Sequence, residues 1–336
     1  MKLEERAVAD ALGTILLHNV MDDAAKRVVR KGTRLTKEHL AKLTGIGRER
    51  IQVAVLGPDD VPEDEAARLL AEALLTAEID LSRPAGGRIN LQATVDGLLE
   101  VNEASLLELN TLPGFALATR RQHTVVGPNQ DTDNIATLKI VPFAVERRHL
   151  ERALALAAAE PPVMQVRHFE PGRQVAMLFV ADEAVHEKLR GEYLPPTLAR
   201  LARLRADLVA TEDVVQDEEA IAAAAARLAE QADLLIIAGQ TSIMDEDDTT
   251  LRALRAAGAG GTVSGAPVEP GNLLALAYFP ATPVMCAPGC AKGLKRNIVD
   301  IVLPRLLLGD RLGRPEIAAL GLGGFLTAAE RAGDIT

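Results

Sequence analysis

Apolar and polar positions follow two different patterns along the chain. Residues 1–160 contain short apolar runs of strand length, separated by turn signals and by helices with clear capping residues. The runs cover residues 14–17, 51–56, 89–95 and 137–143. Thr36 is suited to cap a helix that ends at Gly45, and Pro62, followed by three acids, is suited to open a second helix. This pattern predicts a smaller domain of mixed α+β structure.

The clearest boundary follows an alanine-rich helix. The helical pattern runs from Val145 to Glu160 and is stopped by Pro161 and Pro162. We therefore predict an N-terminal domain over residues 1–160 and a second domain over residues 163–336.

Strands and helices alternate in the second domain. Its short apolar runs, of the kind buried in a parallel sheet, cover residues 174–180, 233–237 and 282–286. Helices are predicted over residues 196–206, over 217–231 with Asp217 as the cap, and over 293–309. Such alternation predicts a doubly wound α/β sheet, in which ligands bind past the carboxyl ends of the strands.

The first loop at that edge follows the run over 233–237. Gly239 allows a sharp exit from the strand and a close backbone approach to a ligand, and Thr241 and Ser242 carry hydroxyl donors. An ordinary turn between a strand and a helix is the alternative. Four acids, Asp245 to Asp248, then precede a helix. Capping explains one or two of them, and a cation such as Mg²⁺ between these acids and a phosphate is the other interpretation.

Two further loops combine proline and glycine. One contains Pro270, Gly271 and Asn272, and the other contains Pro288, Gly289, Cys290 and Lys292 ahead of the last predicted helix. The backbone amides of the second loop, together with Lys292, are suited to hold an anion. The loops together indicate a ligand that bears a phosphate.

Composition excludes several other classes of protein. The 336 residues are 48% apolar and 25% charged, with a net charge of −10 and only 2% aromatic residues, which argues against a nucleic-acid partner. No apolar run reaches the ~18–20 residues of a membrane span, and the N-terminus lacks the apolar segment of a secretory signal. We therefore expect a soluble cytoplasmic protein without membrane association.

Well-known catalytic and metal-binding motifs are missing from the sequence. Cys286 and Cys290 have no nearby histidine, which makes a poor zinc pattern. The chain contains no GxSxG, Walker or GxGxxG motif, so hydrolase, P-loop and dinucleotide-binding functions lack support.

The loops resemble those of the molybdopterin-binding family of molybdenum cofactor biosynthesis, which includes molybdopterin adenylyltransferases and molybdopterin molybdenumtransferases. The resemblance lies in DLLIIAGQTSIMDEDDTTLRALRAAG, GAPVEPGNLL, CAPGCAKG, IVDIVLPRLLLGD and EIAALGLGGFL. The N-terminal part, with RKGTRLTKEHLAKLTGIG and VPEDEAARLLAEAL, looks like the leading domain of a subgroup called simply molybdopterin-binding proteins.

The resemblance implies a Rossmann-like, three-layer α/β/α domain that holds molybdopterin. Its phosphate, or the pyrophosphate of an adenylylated form, is expected near Gly239, Thr241 and Ser242. The family aspartate associated with Mg²⁺ and catalysis corresponds to Asp247 when counted from Gly239 and to Asp248 by helix register. Pro288 and Gly289 match the second Pro-Gly loop of the family. Family members commonly form dimers or trimers, so the resemblance also implies a homo-oligomer.

Two departures from the family pattern leave three functions open. Gln240 stands where the family has a second glycine, at the approach of a phosphate, and Ala181 to Ala184 keep little of the catalytic relatives' first turn. The first hypothesis is a protein that binds molybdopterin or its adenylylated form for biosynthesis or for delivery to an oxidoreductase. The second is a Mg²⁺-dependent transferase that adenylates molybdopterin with ATP or inserts molybdate. The third is a non-catalytic interaction scaffold that has lost the ligand.

Overall fold

The chain forms two compact units in the computed structural model, which describes residues 1–128 and 134–332. The first unit is Met1–Arg167 and the second begins at His168. The double proline at which we predict the boundary lies slightly earlier in the chain. Among the described residues, we find no helix with the length and apolar character needed to cross a membrane.

The first unit begins with a small sheet and one helix. Thr36 caps that helix, since its hydroxyl accepts a hydrogen bond from the amide of His39. Leu16, Leu43 and Val53 lie in the core beneath it. The sheet has the order β1-β5-β2, and β3 and β4 form a hairpin. The elements are β1 (Lys2–Ala7), β2 (Ile15–Leu16), β3 (Val20–Met21), β4 (Arg27–Val29), α1 (Lys37–Gly45) and β5 (Arg50–Val55).

The rest of the first unit packs helices against short antiparallel sheets. A larger core collects the apolar faces of these helices and strands, including Leu70, Leu91 and Leu138. The elements are β6 (Asp60–Pro62), α2 (Glu63–Ala73), β7 (Ile79–Leu81), β8 (Arg88–Ala93), β9 (Gly97–Val101), α3 (Glu103–Thr111), β10 (Phe115–Thr119), β11 (Val125–Val126), β12 (Asn134–Ile140), β13 (Ala144–Glu146), α4 (Arg147–Ala157) and β14 (Met164–His168). The sheet orders are β10-β12-β8-β7, β11-β9-β14 and β13-β6. The mixed α+β structure predicted for this part is confirmed.

A six-stranded sheet organises the second unit. Its order is β16-β15-β17-β20-β19-β18, parallel over the first four strands and antiparallel over the last two. The elements are β15 (Arg173–Val180), α5 (His186–Arg203), β16 (Ala206–Val214), α6 (Glu218–Ala229), β17 (Leu234–Gly239), α7 (Thr249–Ala256), β18 (Gly260–Ser264), β19 (Ala275–Tyr278), β20 (Pro283–Ala287), α8 (Val299–Leu307), α9 (Arg314–Ala319) and α10 (Ala328–Arg331).

Helices cover both faces of this sheet. On one face, Leu178 of β15 shares a core with Ile221 of α6 and Leu254 of α7. On the other face, the Arg190 guanidinium of α5 lies 4.8 Å from the ring centroid of Phe179, the next residue of β15. Successive residues of a strand point to opposite faces, so α5 lies across the sheet from α6 and α7. The three-layer α/β/α architecture is confirmed.

Two helices differ from the prediction. The helix predicted over 196–206 begins at His186 and continues through Pro195 and Pro196, because the burial of Leu189 and Tyr193 outweighs the roughly 3 kcal/mol that an interior proline costs. The helix predicted over 293–309 forms only as α8, because the Asn297 side chain accepts the amide of Val299 at 3.0 Å and starts the helix there.

Candidate functional site

Three loops meet at the carboxyl edge of the parallel strands. They follow β15, β17 and β20 at residues 181–185, 240–248 and 288–293. The chain moves from β15 to β16 on one side and later to β17 on the other side, so the strand order reverses between β15 and β17. Ligands in open α/β sheets bind at such a switch point. The loops predicted from the sequence therefore lie where this fold binds ligands.

Gly239 turns the chain at the end of β17, and Gln240 links the loop after β17 to the loop after β15. A methyl group added at Gly239 would lie 2.6 Å from the carbonyl oxygen of Thr241, so this tight turn requires glycine. The amide of Gln240 donates to the carbonyl of Val180 at 2.8 Å. Its side-chain Oε1 accepts the amide of Asp182 at 3.0 Å. The glutamine thus occupies a backbone donor at the switch point that would otherwise be available to a ligand.

The acidic stretch forms the cap of α7. Asp248 accepts the amide of Thr250 at 2.9 Å, and Asp245 accepts the amide of Asp247 at 2.8 Å. Arg252 donates to the carbonyl of Asp247. Asp248 therefore caps the helix and Asp245 closes the turn before it. The Asp247 side chain is exposed and makes no hydrogen bond or ion pair within the described part of the chain.

A Mg²⁺ ion at this stretch needs oxygens from a ligand. Over residues 1–128 and 134–332, no group of three or more His, Cys, Asp or Glu side chains is arranged to hold a metal. Magnesium is commonly bound by one or two carboxylates together with substrate phosphates and water. The carboxylates of Asp247 and Asp248 fit that donor set only when a phosphate supplies the remaining contacts.

The loop with Pro270 and Gly271 packs on the start of α8. Gly271 has φ +135°, and a methyl group added there would lie 2.1 Å from Cγ2 of Ile298. The carbonyl of Pro270 accepts the Ile298 amide at 3.3 Å. Asn272 is exposed, and its carbonyl accepts the amide of Ala266 at 3.0 Å. Gly271 therefore serves close packing, and the loop contributes Pro270 to the cleft described below.

The loop with Pro288 and Gly289 approaches the loop after β17. A methyl group added at Gly289 would lie 3.8 Å from the hydroxyl oxygen of Ser242, so the structure brings these two predicted residues together. Lys292 leans toward α5, where its Nζ lies 2.6 Å from Oε2 of Glu192 and 5.2 Å from the ring centroid of Tyr193. The hydrogen bond from Lys292 holds the pKa of Glu192 below its usual value.

A buried arginine, which the sequence analysis missed, fixes this loop. Arg200 is only 3% exposed and donates to the carbonyls of Ala291 at 3.0 Å and Gly293 at 2.8 Å. Its Nε also donates to Asp300 at 2.8 Å. Asp300 in turn accepts the amide of Asn297 at 2.8 Å. The only signal in the sequence is a basic residue on the apolar face of a helix, between Pro196 and Leu204.

A cleft of about 680 Å³ opens beside this loop. Pro270, Gly289, Cys290 and Lys292, all predicted from the sequence, line it, and so do Lys295 and Arg331, which were not predicted. The described lining contains three basic side chains and no carboxylate. Nε of Arg331 is buried and has no hydrogen-bond partner within the described residues. The cleft is therefore suited to an anion.

The remaining predicted residues lie outside this lining. They are Gly239, Gln240, Thr241, Ser242, Asp247, Asp248, Gly271, Asn272 and Pro288. Ser242 is nevertheless next to Gly289 at the rim, whereas the structure gives Asp248 and Gly271 structural contacts of their own.

The two cysteines are poor nucleophiles in this environment. Burial raises the pKa of the Cys290 thiol to about 11, although the Arg200 guanidinium acts in the opposite direction. Burial raises the pKa of Cys286 to about 12. Since the thiolate is the reactive form, both side chains serve packing near neutral pH.

The second unit is therefore a three-layer α/β domain with a cleft lined by basic side chains at the carboxyl edge of its sheet. Residues 176–307 match the family model described as "probable molybdopterin binding domain". Residues 176–307 are thus similar to a molybdopterin-binding domain, and the resemblance read from the loops is confirmed. Residues 5–55 match a domain of unknown function, DUF8806. No curated protein matches the chain.

Several solved structures are similar to the chain at low identity. One is a molybdenum cofactor biosynthesis protein from Pyrococcus furiosus, with 11% identity and a TM-score of 0.25; the match covers 95% of this chain but only 65% of that one, slightly less than two thirds. Another is the molybdopterin biosynthesis enzyme MoaB from Thermus thermophilus, with 20% identity, a TM-score of 0.33, and coverage of 41% and 98%. A molybdopterin biosynthesis MoeA protein from Pyrococcus horikoshii has 13% identity, a TM-score of 0.30, and coverage of 91% and 75%.

Proposed function

We propose that the protein binds molybdopterin or its adenylylated form and holds it for cofactor biosynthesis or for delivery to an oxidoreductase. The observation that carries this proposal is the cleft beside Gly289, which Lys292, Lys295 and Arg331 line. Lys292 pairs with Glu192 outside the lining, so the excess positive charge comes from Lys295 and Arg331. In a chain with a net charge of −10, such a local excess of positive charge favours an anionic ligand.

The residues around the cleft are suited to contact different parts of the ligand. Lys292 and Lys295, with the buried Nε of Arg331, are suited to the phosphate or pyrophosphate. Ser242 at the rim is suited to hydrogen-bond a polar edge of the pterin, since a hydroxyl group both donates and accepts. Arg200 keeps the loop in place without itself lining the cleft.

Calorimetric titration of the full-length protein with molybdopterin, and then with its adenylylated form, tests the proposal with and without Mg²⁺. Lys292→Gln combined with Lys295→Gln is expected to weaken binding by about tenfold or more, equivalent to about 1.4 kcal/mol. Lys37→Gln combined with Lys42→Gln removes the same charge from α1 and is the matched control. If wild-type protein binds neither form, or if both double variants bind equally well, the proposal is wrong.

The second candidate is a Mg²⁺-dependent transferase that uses ATP or molybdate. The carboxylate of Asp247 in the loop after β17 favours it, because that side chain is exposed and has no hydrogen-bond or ion-pair partner among the described residues. It predicts turnover of molybdopterin that requires Mg²⁺ and is abolished by Asp247→Asn combined with Asp248→Asn. If wild-type protein binds molybdopterin but shows no turnover, the transferase is ruled out and the binding function remains. Wild-type protein that binds nothing while Gln240→Gly gains affinity indicates the interaction scaffold.

A further inference from the structure

A second cleft lies within the first unit. It has a volume of about 820 Å³, in the range of small-molecule sites. Its walls come from the turn after β4, the start of α2, the turn before β8 and the residues after β12. Neither the family of the second unit nor the proposed function assigns a role to it.

One wall is a rigid polar cluster around Glu63. Nζ of Lys139 donates to Oε2 of Glu63 at 3.0 Å and to the carbonyl of Gly86 at 2.5 Å. A methyl group added at Gly87 would lie 2.7 Å from the same Oε2, so the turn before β8 presses directly on this carboxylate. The Glu63 side chain is 12% exposed. Its position is therefore determined before any ligand arrives.

The turn after β4 places positive charge on another wall. Arg30 and Lys31 line the cleft, and their side chains make no hydrogen bond or ion pair within the residues that the structure describes. The turn itself is fixed, because the amide of Lys31 donates to Asn19 Oδ1 at 2.8 Å and that of Gly32 donates to the carbonyl of Leu16 at 2.7 Å.

The acids of this cleft already have partners. Glu63 accepts from Lys139, and Oδ1 of Asp64 accepts the amide of Gly87 at 2.5 Å. An amide donor does not neutralise the charge of Asp64, so the lining has three basic side chains (Arg30, Lys31 and Lys139) against two acidic ones (Glu63 and Asp64). The excess positive charge lies with Arg30 and Lys31, and an anion would compensate it. Leu17 and Phe143 add apolar surface beside these charged groups.

We propose that this cleft binds a phosphate-bearing organic anion of nucleotide size. Its phosphate lies on Arg30 and Lys31, and its organic part lies against Leu17 and Phe143. The Glu63 carboxylate accepts a hydrogen bond from an N–H or hydroxyl group of the ligand, while Lys139 holds that carboxylate in place. This combination of a bound anion, an apolar contact and a fixed acceptor distinguishes an organic phosphate from phosphate alone.

Titration of the full-length protein with ADP, and separately with pyrophosphate, tests this site. Arg30→Gln combined with Lys31→Gln is expected to raise the Kd for ADP by about tenfold or more. Lys26→Gln combined with Arg27→Gln removes the same charge from the same hairpin, outside the lining, and is expected to leave the Kd unchanged. Thermal unfolding of both variants shows that they are folded. ADP is expected to bind more tightly than pyrophosphate.

Several results would overturn the inference. The first is that wild-type protein does not bind ADP. The second is that the two charge-matched double variants lose the same amount of ADP affinity. The third is that pyrophosphate binds as tightly as ADP. Loss of ADP binding in Lys292→Gln combined with Lys295→Gln, but not in Arg30→Gln combined with Lys31→Gln, would place the nucleotide in the second unit. That result would overturn this site and leave the proposed function standing. If the protein fails to bind molybdopterin but its binding of ADP still depends on Arg30 and Lys31, the proposed function is wrong and this second site stands.

Discussion

At the scale of single residues, Cys290 shows how burial decides chemistry. It lies in the cleft at the start of a turn, where exposed amides favour a thiolate, yet burial raises its pKa to about 11. The thiolate fraction therefore increases with pH throughout the neutral and mildly alkaline range. In Cys286→Ala protein, we expect the alkylation rate of Cys290 by iodoacetamide to rise steadily between about pH 7 and about pH 9.5, without a plateau.

Mass spectrometry of timed samples gives this rate directly. An unstructured peptide with one cysteine is the control, and its rate is expected to level off above its thiol pKa of about 8.5. A plateau for Cys290 at or below the pH of the peptide's plateau would contradict the effect of burial.

Gly271 provides a second test at the same scale. A methyl group there would meet Cγ2 of Ile298 at 2.1 Å, and the backbone has φ +135°. We expect Gly271→Ala to lower the free energy of unfolding by about 1–3 kcal/mol. Gly191→Ala is the control, because Gly191 lies inside α5 with open space around it, and there alanine is expected to stabilise by about 0.5–1 kcal/mol. Urea unfolding measures both; an unchanged midpoint for Gly271→Ala contradicts the close contact.

At the scale of elements, Arg200 ties α5 to α8 and to the loop between β20 and α8. It contacts the carbonyls of Ala291 and Gly293 and the carboxylate of Asp300 at once, which requires the planar fork of a guanidinium. We expect Arg200→Lys to keep the charge but lose one or more of these contacts, so that the loop loosens. The affinity for molybdopterin is then expected to fall by about tenfold.

A readout inside the loop separates this positioning role from general destabilisation. Alkylation of Cys290 is expected to become faster in Arg200→Lys protein, while alkylation of Cys286 in the neighbouring strand stays slow. Arg190→Lys is the matched control, because Arg190 lies on the same helix and pairs with Asp213 instead. Equal acceleration at both cysteines would indicate loss of the fold and not of the loop.

The elements also show what the sequence can and cannot predict. Buried runs such as residues 174–180 and 233–237 were found because they are continuously apolar, and Thr36 and Asp217 were found because capping is local. β16 was missed, since it alternates exposed and partly buried residues at the edge of the sheet and carries Asp207, Glu212 and Asp213. The start of α5 was missed because tertiary packing outweighs the local effect of two prolines.

The same distinction holds for the candidate site. Loops marked by glycine and proline are visible in the sequence, and four of their residues line the cleft. Lys295 and Arg331 come from a loop segment and a short helix without a local signal, and only the fold brings them to Gly289. Arg200 contacts residues about 90 positions away in the chain, which periodicity does not predict.

At the scale of the whole molecule, each unit has its own apolar core. Leu91 is fully buried in the core of the first unit, and Leu235 is fully buried in that of the second, on the strand that leads to Gly239. Truncation of a buried leucine to alanine costs about 2–5 kcal/mol. Because the two cores share no residues, the cost is expected to remain within the unit that carries the substitution.

We therefore expect Leu91→Ala to increase amide hydrogen exchange in the first unit while molybdopterin affinity stays within about twofold of wild type, since the two apolar cores share no residues. Leu235→Ala should increase exchange in the second unit and weaken molybdopterin binding, because β17 positions the loop with Ser242. Exchange followed by mass spectrometry, with calorimetry at a temperature where both variants are folded, measures these effects. If Leu91→Ala weakens molybdopterin binding as much as Leu235→Ala does, the two units do not act independently.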